Sequence, residues 1–317
     1  MATQSLINPV ADYGGIVCDS RFVGRKHELT QIEQRVLGQS YGNLAIMGLP
    51  RIGKSSLVWQ AIMTKKDALL KDNTLAIFFQ VGSCDSAEAF YKQFVGYVHD
   101  ELEIFCEDER YEKYSYRVLE ELSNATEKSR IIPLVQKYFK YVKLLGFKII
   151  YILDEFDSVQ SLFSVADFQT LRELSTKPDT KICIVTCSRK TIQEIEAKDG
   201  AISNFYGTFS EIRLGMFTQE DMTKYWERVT LNVNLSQEYK NYVQFCAGCH
   251  PYLLDMYNDY CFRRGNFCTD INEIEEIKIQ LWHQFRTIQD TLENEGLLDK
   301  AIQLVLGHAY NVTKLEE

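Results

Sequence analysis

Apolar positions along the chain change their period several times, and the changes divide it into elements. From Lys26 to Leu37, Leu29, Ile32 and Val36 recur at helical spacing, with Gly38 as a stop. Asn43–Met47 is then a short continuous apolar run that enters a glycine-containing turn, and Leu57, Ile62 and Leu69 restore the helical period. Thr74–Val81 reads as a second strand and Ala87–Phe105 as a helix with Phe90, Phe94, Tyr97, Val98 and Leu102 on one side. The stretch from Glu107 to Arg130 is Tyr-rich, acidic and the least regular. A helix over Leu134–Leu144, a buried strand over Phe147–Leu153, a helix over Ala166–Leu174, a strand over Lys181–Cys187 and a short strand over Glu211–Leu214 follow. Five strands separated by helices predict a parallel, three-layer α/β sheet.

Beyond Met216 the pattern is helical only. Thr218-Gln-Glu-Asp221 has the spacing of a capping box, ahead of helices over Thr218–Val229, Ser236–Ala247, Pro251–Arg263 and Ile271–Leu292. On the last of these the expected buried stripe is Ile271, Ile274, Leu281, Phe285, Ile288 and Leu292, and Trp59, Trp226 and Trp282 are read as core. The expected organisation is an N-terminal arm over 1–20, an α/β core over 21–216, an all-helical lid over 217–296, and over 297–317 the start of a further C-terminal element that the chain does not complete.

Composition narrows the functional classes. The 317 residues are 45% hydrophobic and 25% charged, the balance of a folded protein with a sizeable core. No apolar run approaches the roughly 18 residues of a membrane span, and the first residues lack the basic and apolar pattern of a secretion signal, so a cytoplasmic protein without membrane contact is expected. A net charge of −9 leaves no general excess of cations for a nucleic-acid backbone, which disfavours DNA binding by this segment. Nine cysteines, an odd number in a chain this long, are expected to be reduced.

Two segments carry chemistry. Gly48-Leu-Pro-Arg-Ile-Gly-Lys-Ser55 fits the P-loop pattern G-x-x-x-x-G-K-[ST] and lies between a predicted strand and a predicted helix. Its glycines let the loop curl past Pro50 so that the backbone N–H groups of Arg51, Ile52, Gly53, Lys54, Ser55 and Ser56 point toward a phosphate at the helix N-terminus. Lys54 supplies a point charge to the β- and γ-oxygens, and the Ser55 hydroxyl is a ligand for Mg²⁺. About a hundred residues on, Lys148-Ile-Ile-Tyr-Ile-Leu-Asp154-Glu155 is an apolar strand that ends in two carboxylates. Asp154 is assigned to the Mg²⁺ shell and Glu155 to the orientation of the attacking water. The next strand ends in Thr186, Ser188 and Arg189, where Arg189 is read either as a sensor or charge stabiliser for the γ-phosphate or as a surface arginine that opens the next helix. Cys246, Cys249, Cys261 and Cys268 form a weaker zinc-like spacing on segments predicted to be helical.

Phe22-Val-Gly-Arg-Lys-His-Glu-Leu29 resembles the FVGRxxEL box of the STAND ATPases and their archaeal-type relatives within the AAA+ and ORC-like group. Asn8-Pro9 with Tyr13-Gly14 resembles the lead-in of that archaeal-type branch, and Gly248-Cys-His-Pro-Tyr-Leu-Leu254 resembles its GGxPxLL lid motif, with Cys249 in place of the second glycine. The resemblance implies a sheet order 5-1-4-3-2, adenine held by Phe22, Val23 and Gly24, a lid proline at Pro251, and a winged-helix-like element after the lid. It further implies an ATP/ADP switch that hydrolyses slowly, is locked by ADP, opens and self-associates with ATP, and answers an unidentified activating ligand, as in prokaryotic defence or signalling. The alternative implied by the same motifs is an ORC-like, DNA-handling AAA+ ATPase.

Overall fold

The computed structural model describes residues 8–11, 13–39, 41–105, 109–197, 203–231, 233–267, 269, 275–294 and 296–305. They form two compact units, one over Gly14–Tyr225 and one that joins residues 8–13 to those from Trp226 on.

In the first unit, β1 (Leu44–Met47), β2 (Thr74–Gln80), β3 (Lys148–Asp154), β4 (Cys183–Ser188) and β5 (Ser210–Arg213) make a single sheet in the order β2-β3-β4-β1-β5, every pair parallel. Read from the other edge, this is the expected 5-1-4-3-2. Parallel strands are joined by crossovers that cover both faces, so strands buried on both sides read as unbroken apolar runs. The alternation along β3 shows the consequence. Ile149, Tyr151 and Leu153 enter one core, whereas Ile150 and Ile152 enter the other.

The first core packs β2–β4 against α4 (Ala87–Phe105), α5 (Glu109–Asn124), α6 (Lys128–Leu144) and α8 (Val165–Thr176). The second packs the opposite face against α1 (Lys26–Ile32), the π-helical turn Glu33–Leu37 that continues it, and α2 (Lys54–Ala61). Between α2 and β2 lies the short α3 (Lys66–Lys71), and α7 (Val159–Leu162) follows β3. A short α9 (Ile192–Glu196), opened by a capping box of Thr191 and Glu194, follows β4.

The stretch read as irregular contains a regular helix, α5. Its inner stripe is Tyr111, Ser115, Val118 and Leu122, all buried. Tyr111 there shares a hydroxyl–hydroxyl hydrogen bond of 2.9 Å with Tyr138 of α6. A serine inside the stripe and seven charged residues between Glu109 and Glu121 hide the period from a hydropathy count.

α10 (Gln219–Val229) carries the boundary between the units. The predicted capping box at its start is present: the Asp221 carboxylate accepts from Thr218 N–H at 2.9 Å, and Asp221 N–H donates to the Thr218 hydroxyl at 3.2 Å.

The second unit contains α11 (Gln237–Ala247), α12 (Pro251–Arg264), α13 (Glu275–Asn294) and α14 (Leu298–Val305). Pro251 is the first residue of α12, where its missing N–H costs nothing, and Gly265 ends the helix at φ 62°. Asn8 donates to Asp259 of α12 at 2.8 Å, and the Tyr13 ring lies 5.6 Å from that of Tyr252, so the lead-in segment belongs to the helical unit.

Two readings of α13 need correction. Trp282 is 66% exposed and Phe285 is exposed as well, because the face turned inward is the one bearing Ile277 and Leu281. Ile271, Ile274 and the residues after Val305 lie outside the described set. Trp59 and Trp226 are half-buried.

Candidate functional site

β1 runs out at Met47 and the chain turns through Gly48–Gly53 into α2. Gly48 is required at the start of this loop because a Cβ there would stand 2.5 Å from the Leu214 carbonyl. At its end, Gly53 takes φ 100°, a region open to glycine, and a Cβ there would meet nothing within 4 Å. Pro50 is half-buried and Ile52 buried, while Arg51 is exposed at φ 59°. The loop thereby ends on the first turn of α2, whose N–H groups have no partner within the helix, the geometry that favours an anion.

Lys54 folds back over this loop. Its ammonium donates to the carbonyls of Gly48 at 2.8 Å and Leu49 at 2.9 Å. Burial lowers its pKa from that of a free lysine, with Cys187, Asp157 and Asp154 opposing and the Arg189 charge adding to the drop. Ser55, one residue on, donates to Asp154 at 2.6 Å and so joins the P-loop to the end of β3. Ser56 accepts from Val17 N–H at 3.0 Å and Gln60 from Asp19 N–H at 2.6 Å, which ties the segment ahead of Phe22 to α2.

Asp154 is buried and Glu155 exposed. Glu155 adopts φ 55° and donates its N–H to Asp154 at 3.1 Å, which turns its side chain out of the strand. The Glu155 carboxylate lies over Gly82 after β2, where a side chain would overlap it. Arg189 is engaged by Asp157: the carboxylate accepts from Arg189 N–H at 2.9 Å, Nε at 2.9 Å and Nη2 at 2.6 Å. Under the same edge lies Cys187, whose thiol pKa burial raises well above the ordinary value, with Asp154 contributing and Lys54 opposing.

The turn at Phe22–Arg25 is built differently. Phe22 packs on the α2-side core, and Gly24 and Arg25 adopt φ 70° and 59°. Arg25 is 4% exposed and its guanidinium donates to the carbonyls of Gly215 at 2.6 Å, Met216 at 3.3 Å and Ile52 at 3.4 Å, above the Phe217 ring. Its backbone N–H donates to Asp221 at 2.8 Å.

The structure thus gathers Lys54, Ser55, Asp154, Cys187, Asp157 and Arg189 by direct contact or mutual charge, and links the Phe22–Arg25 turn to the P-loop through Ile52. Pro251 stands in the other unit. Sequence reasoning missed Asp157, for which the signal was a third acidic residue at Asp154 plus three, and the second contact of Asp221, which lies 196 residues away and leaves no local trace. Of the cysteines with zinc-like spacing, Cys246 and Cys249 are half-buried, Cys261 is buried and Cys268 lies outside the described residues.

The donor set suits a phosphate with a hard cation. A loop of backbone N–H groups, one ammonium and a hydroxyl bonded to a carboxylate supply anion binding and oxygen ligation side by side. Among the described residues, no helix is long and apolar enough to cross a membrane.

No family model matches the sequence, and no curated protein matches it. Solved structures do resemble the fold. The Walker-type ATPase PABY2304 of Pyrococcus abyssi superposes with a TM-score of 0.58 at 13% identity, over 95% of this chain and 80% of that one. Cdc6p of Pyrobaculum aerophilum gives 0.58 at 11% identity, over 86% and 70% of the two chains. The Aeropyrum pernix ORC1 protein, solved in complex with DNA, gives 0.56 at 12% identity, over 86% and 68%. The architecture is a three-layer α/β fold with a five-stranded parallel sheet and a P-loop, followed by a helical part.

Proposed function

We propose that this chain is an ATP-binding and slowly hydrolysing molecular switch of the STAND type. The observation that carries the reading is the 2.6 Å bond from Ser55 to Asp154 beside a P-loop whose lysine is already folded over it. Lys54 and the N–H groups of Arg51–Ser56, in the loop that Pro50 opens, hold the phosphates, and Phe22, Val23 and Gly24 hold the adenine. Ser55 and Asp154 hold Mg²⁺, which when bound neutralises phosphate charge. Glu155 orients the attacking water, and Arg189 leaves Asp157 for the γ-phosphate. ADP locks the resting state, with Pro251 as the lid proline. ATP releases it and drives self-association in response to an unidentified ligand, in prokaryotic defence or signalling, inside the cytoplasm.

The fold likeness to an ORC1 protein solved with DNA favours a second reading, a DNA-handling ATPase with the same nucleotide site. The net charge of −9 weighs against it. DNA affinity measured across a salt series separates the two, since a DNA-handling protein loses affinity steeply as salt rises.

The site itself is tested by denaturing purified protein and identifying what it releases, next to Lys54→Ala. Stoichiometric ADP from the wild type and none from the variant is the expected result. An empty site with rapid ATP turnover overturns the locked switch, and equal nucleotide content in both proteins overturns the P-loop assignment.

A further inference from the structure

We propose that Asp221 is a positioning residue for the nucleotide base, holding the Gly24–Arg25 turn in the one conformation that presents the backbone of Phe22–Gly24 as a fixed edge. This rests on the reading above that this segment contacts the base.

Asp221 does more than a helix cap requires. One carboxylate oxygen accepts from both the N–H and the hydroxyl of Thr218, each at 2.9 Å, which completes the cap of α10. The other oxygen is turned away from the helix and accepts the Arg25 N–H at 2.8 Å. Both residues are buried, Asp221 at 6% and Arg25 at 4% exposure, so water does not compete for the bond. No cap needs that second contact.

The turn, for its part, needs an external hold. Two consecutive residues stand in the left-handed region, and at Arg25 this is strained because its Cβ crowds the backbone there. Gly24 lies so close that a Cβ there would overlap the Asp221 carboxylate and stand 2.8 Å from the Asp221 Cβ. The carboxylate therefore fills the space on which the turn rests. The Arg25 guanidinium does not bond to it. Instead it reaches Gly215, Met216 and Ile52 and so supports the P-loop.

This division makes the proposal specific. Discrimination between purines needs donors and acceptors that do not adapt to the wrong base, which demands a preorganised backbone. Removing the Asp221 carboxylate loosens the base edge while the phosphate cradle, held by Lys54, Ser55 and Arg25, stays intact.

The test is calorimetric titration of the full chain, freed of bound nucleotide, with Mg-ADP, Mg-GDP and inorganic tripolyphosphate. Asp221→Ala is expected to weaken ADP about tenfold and to bring the ADP-to-GDP affinity ratio toward one, with tripolyphosphate changed less than about twofold. Asp221→Asn, which still offers an oxygen to the Arg25 N–H, is expected to recover ADP affinity relative to alanine. A variant that weakens ADP and tripolyphosphate equally, or leaves the ADP-to-GDP ratio unchanged, overturns the proposal. If Asp221→Ala does not fold, Asp221→Ser decides by the same split, since it keeps a polar atom but is too short to reach Arg25. Wild-type protein that binds tripolyphosphate in a Lys54-dependent way but shows no preference among bases would fail the base-site reading, and the proposal with it, while the P-loop stands.

Discussion

The P-loop is shaped by bonds between residues five or six apart, such as those from Lys54 to Leu49 and Gly48, whereas the Phe22–Arg25 turn is shaped by a carboxylate 196 residues further along. In the proposed function both present backbone to the nucleotide, yet they depend on the rest of the protein in different ways. A loop with its own internal bonds keeps much of its geometry wherever its flanking strand and helix form, with Ser188 and Arg25 adding support from outside. A turn supported from α10 has its geometry only when that helix is capped and in place. Chemistry common to all nucleotides can rest on the first kind of element, and discrimination that responds to the state of the protein belongs on the second.

The largest effect should come from the local element. Lys54→Ala removes a charge-assisted donor to phosphate, worth about 3 kcal/mol, or about a hundredfold in ADP affinity. Since Lys54 bonds only to loop carbonyls and its burial is unfavourable to its own charge, the melting temperature should hold steady or rise. Titration and thermal melting on one preparation check both parts. A large loss of stability would mean that the loop's own bonds also hold the fold around it, and the contrast between the two elements would weaken.

The distal element should fail through folding instead. Gly24→Ala places a Cβ where the Asp221 carboxylate lies, in a left-handed conformation, and is expected to destabilise the first unit by about 2 kcal/mol. Chemical denaturation measures this. Tripolyphosphate binding to the fraction still folded should be unchanged, because the P-loop makes no contact through Gly24.

The same contrast explains what could be read from the residues alone. Gly48–Ser55 and Asp154–Glu155 were legible because each is a contiguous pattern whose chemistry needs its neighbours. β1 to β4 were legible because double-sided burial demands unbroken apolar runs, as in Ile149–Leu153, whereas β5, in which only Ile212 is buried, was read from the short stretch Glu211–Leu214. The α5 helix escaped because Ser115 interrupts its inner stripe, and Trp282 was misplaced because an apolar residue at helical spacing does not say which of two faces turns inward. The second role of Asp221 had no signature: as a capping residue it was already explained, and the oxygen that reaches Arg25 is set by the tertiary fold. Asp157 stood between these cases, visible as a third acidic residue but meaningful only once β4 brought Arg189 beside it.

Thr218→Ala separates the cap from the turn. It removes the hydroxyl that accepts from Asp221 N–H, at a cost of about 1 kcal/mol in stability. The Asp221 oxygen that faces Arg25 is untouched, so the ratio of ADP to GDP affinity should match the wild type. A shift in that ratio as large as that of Asp221→Ala would show that the cap, and not the second oxygen, sets the turn.

The smallest effect is a proton count. Burial lowers the Lys54 pKa below the free-lysine value of 10.5, and a phosphate dianion beside the ammonium raises it again. Binding therefore takes up a fraction of a proton at alkaline pH, and affinity falls as pH rises through the pKa of the free protein, where the ammonium must first be protonated. Calorimetry at about pH 9 in buffers of different ionisation enthalpy measures the uptake. ADP and tripolyphosphate should give the same value, since both act through Lys54, and Asp221→Ala should leave it unchanged. If the uptake were instead larger for ADP and sensitive to Asp221, the titrating group would lie at the turn, and the two elements would be electrostatically coupled as well as joined through the Arg25–Ile52 contact.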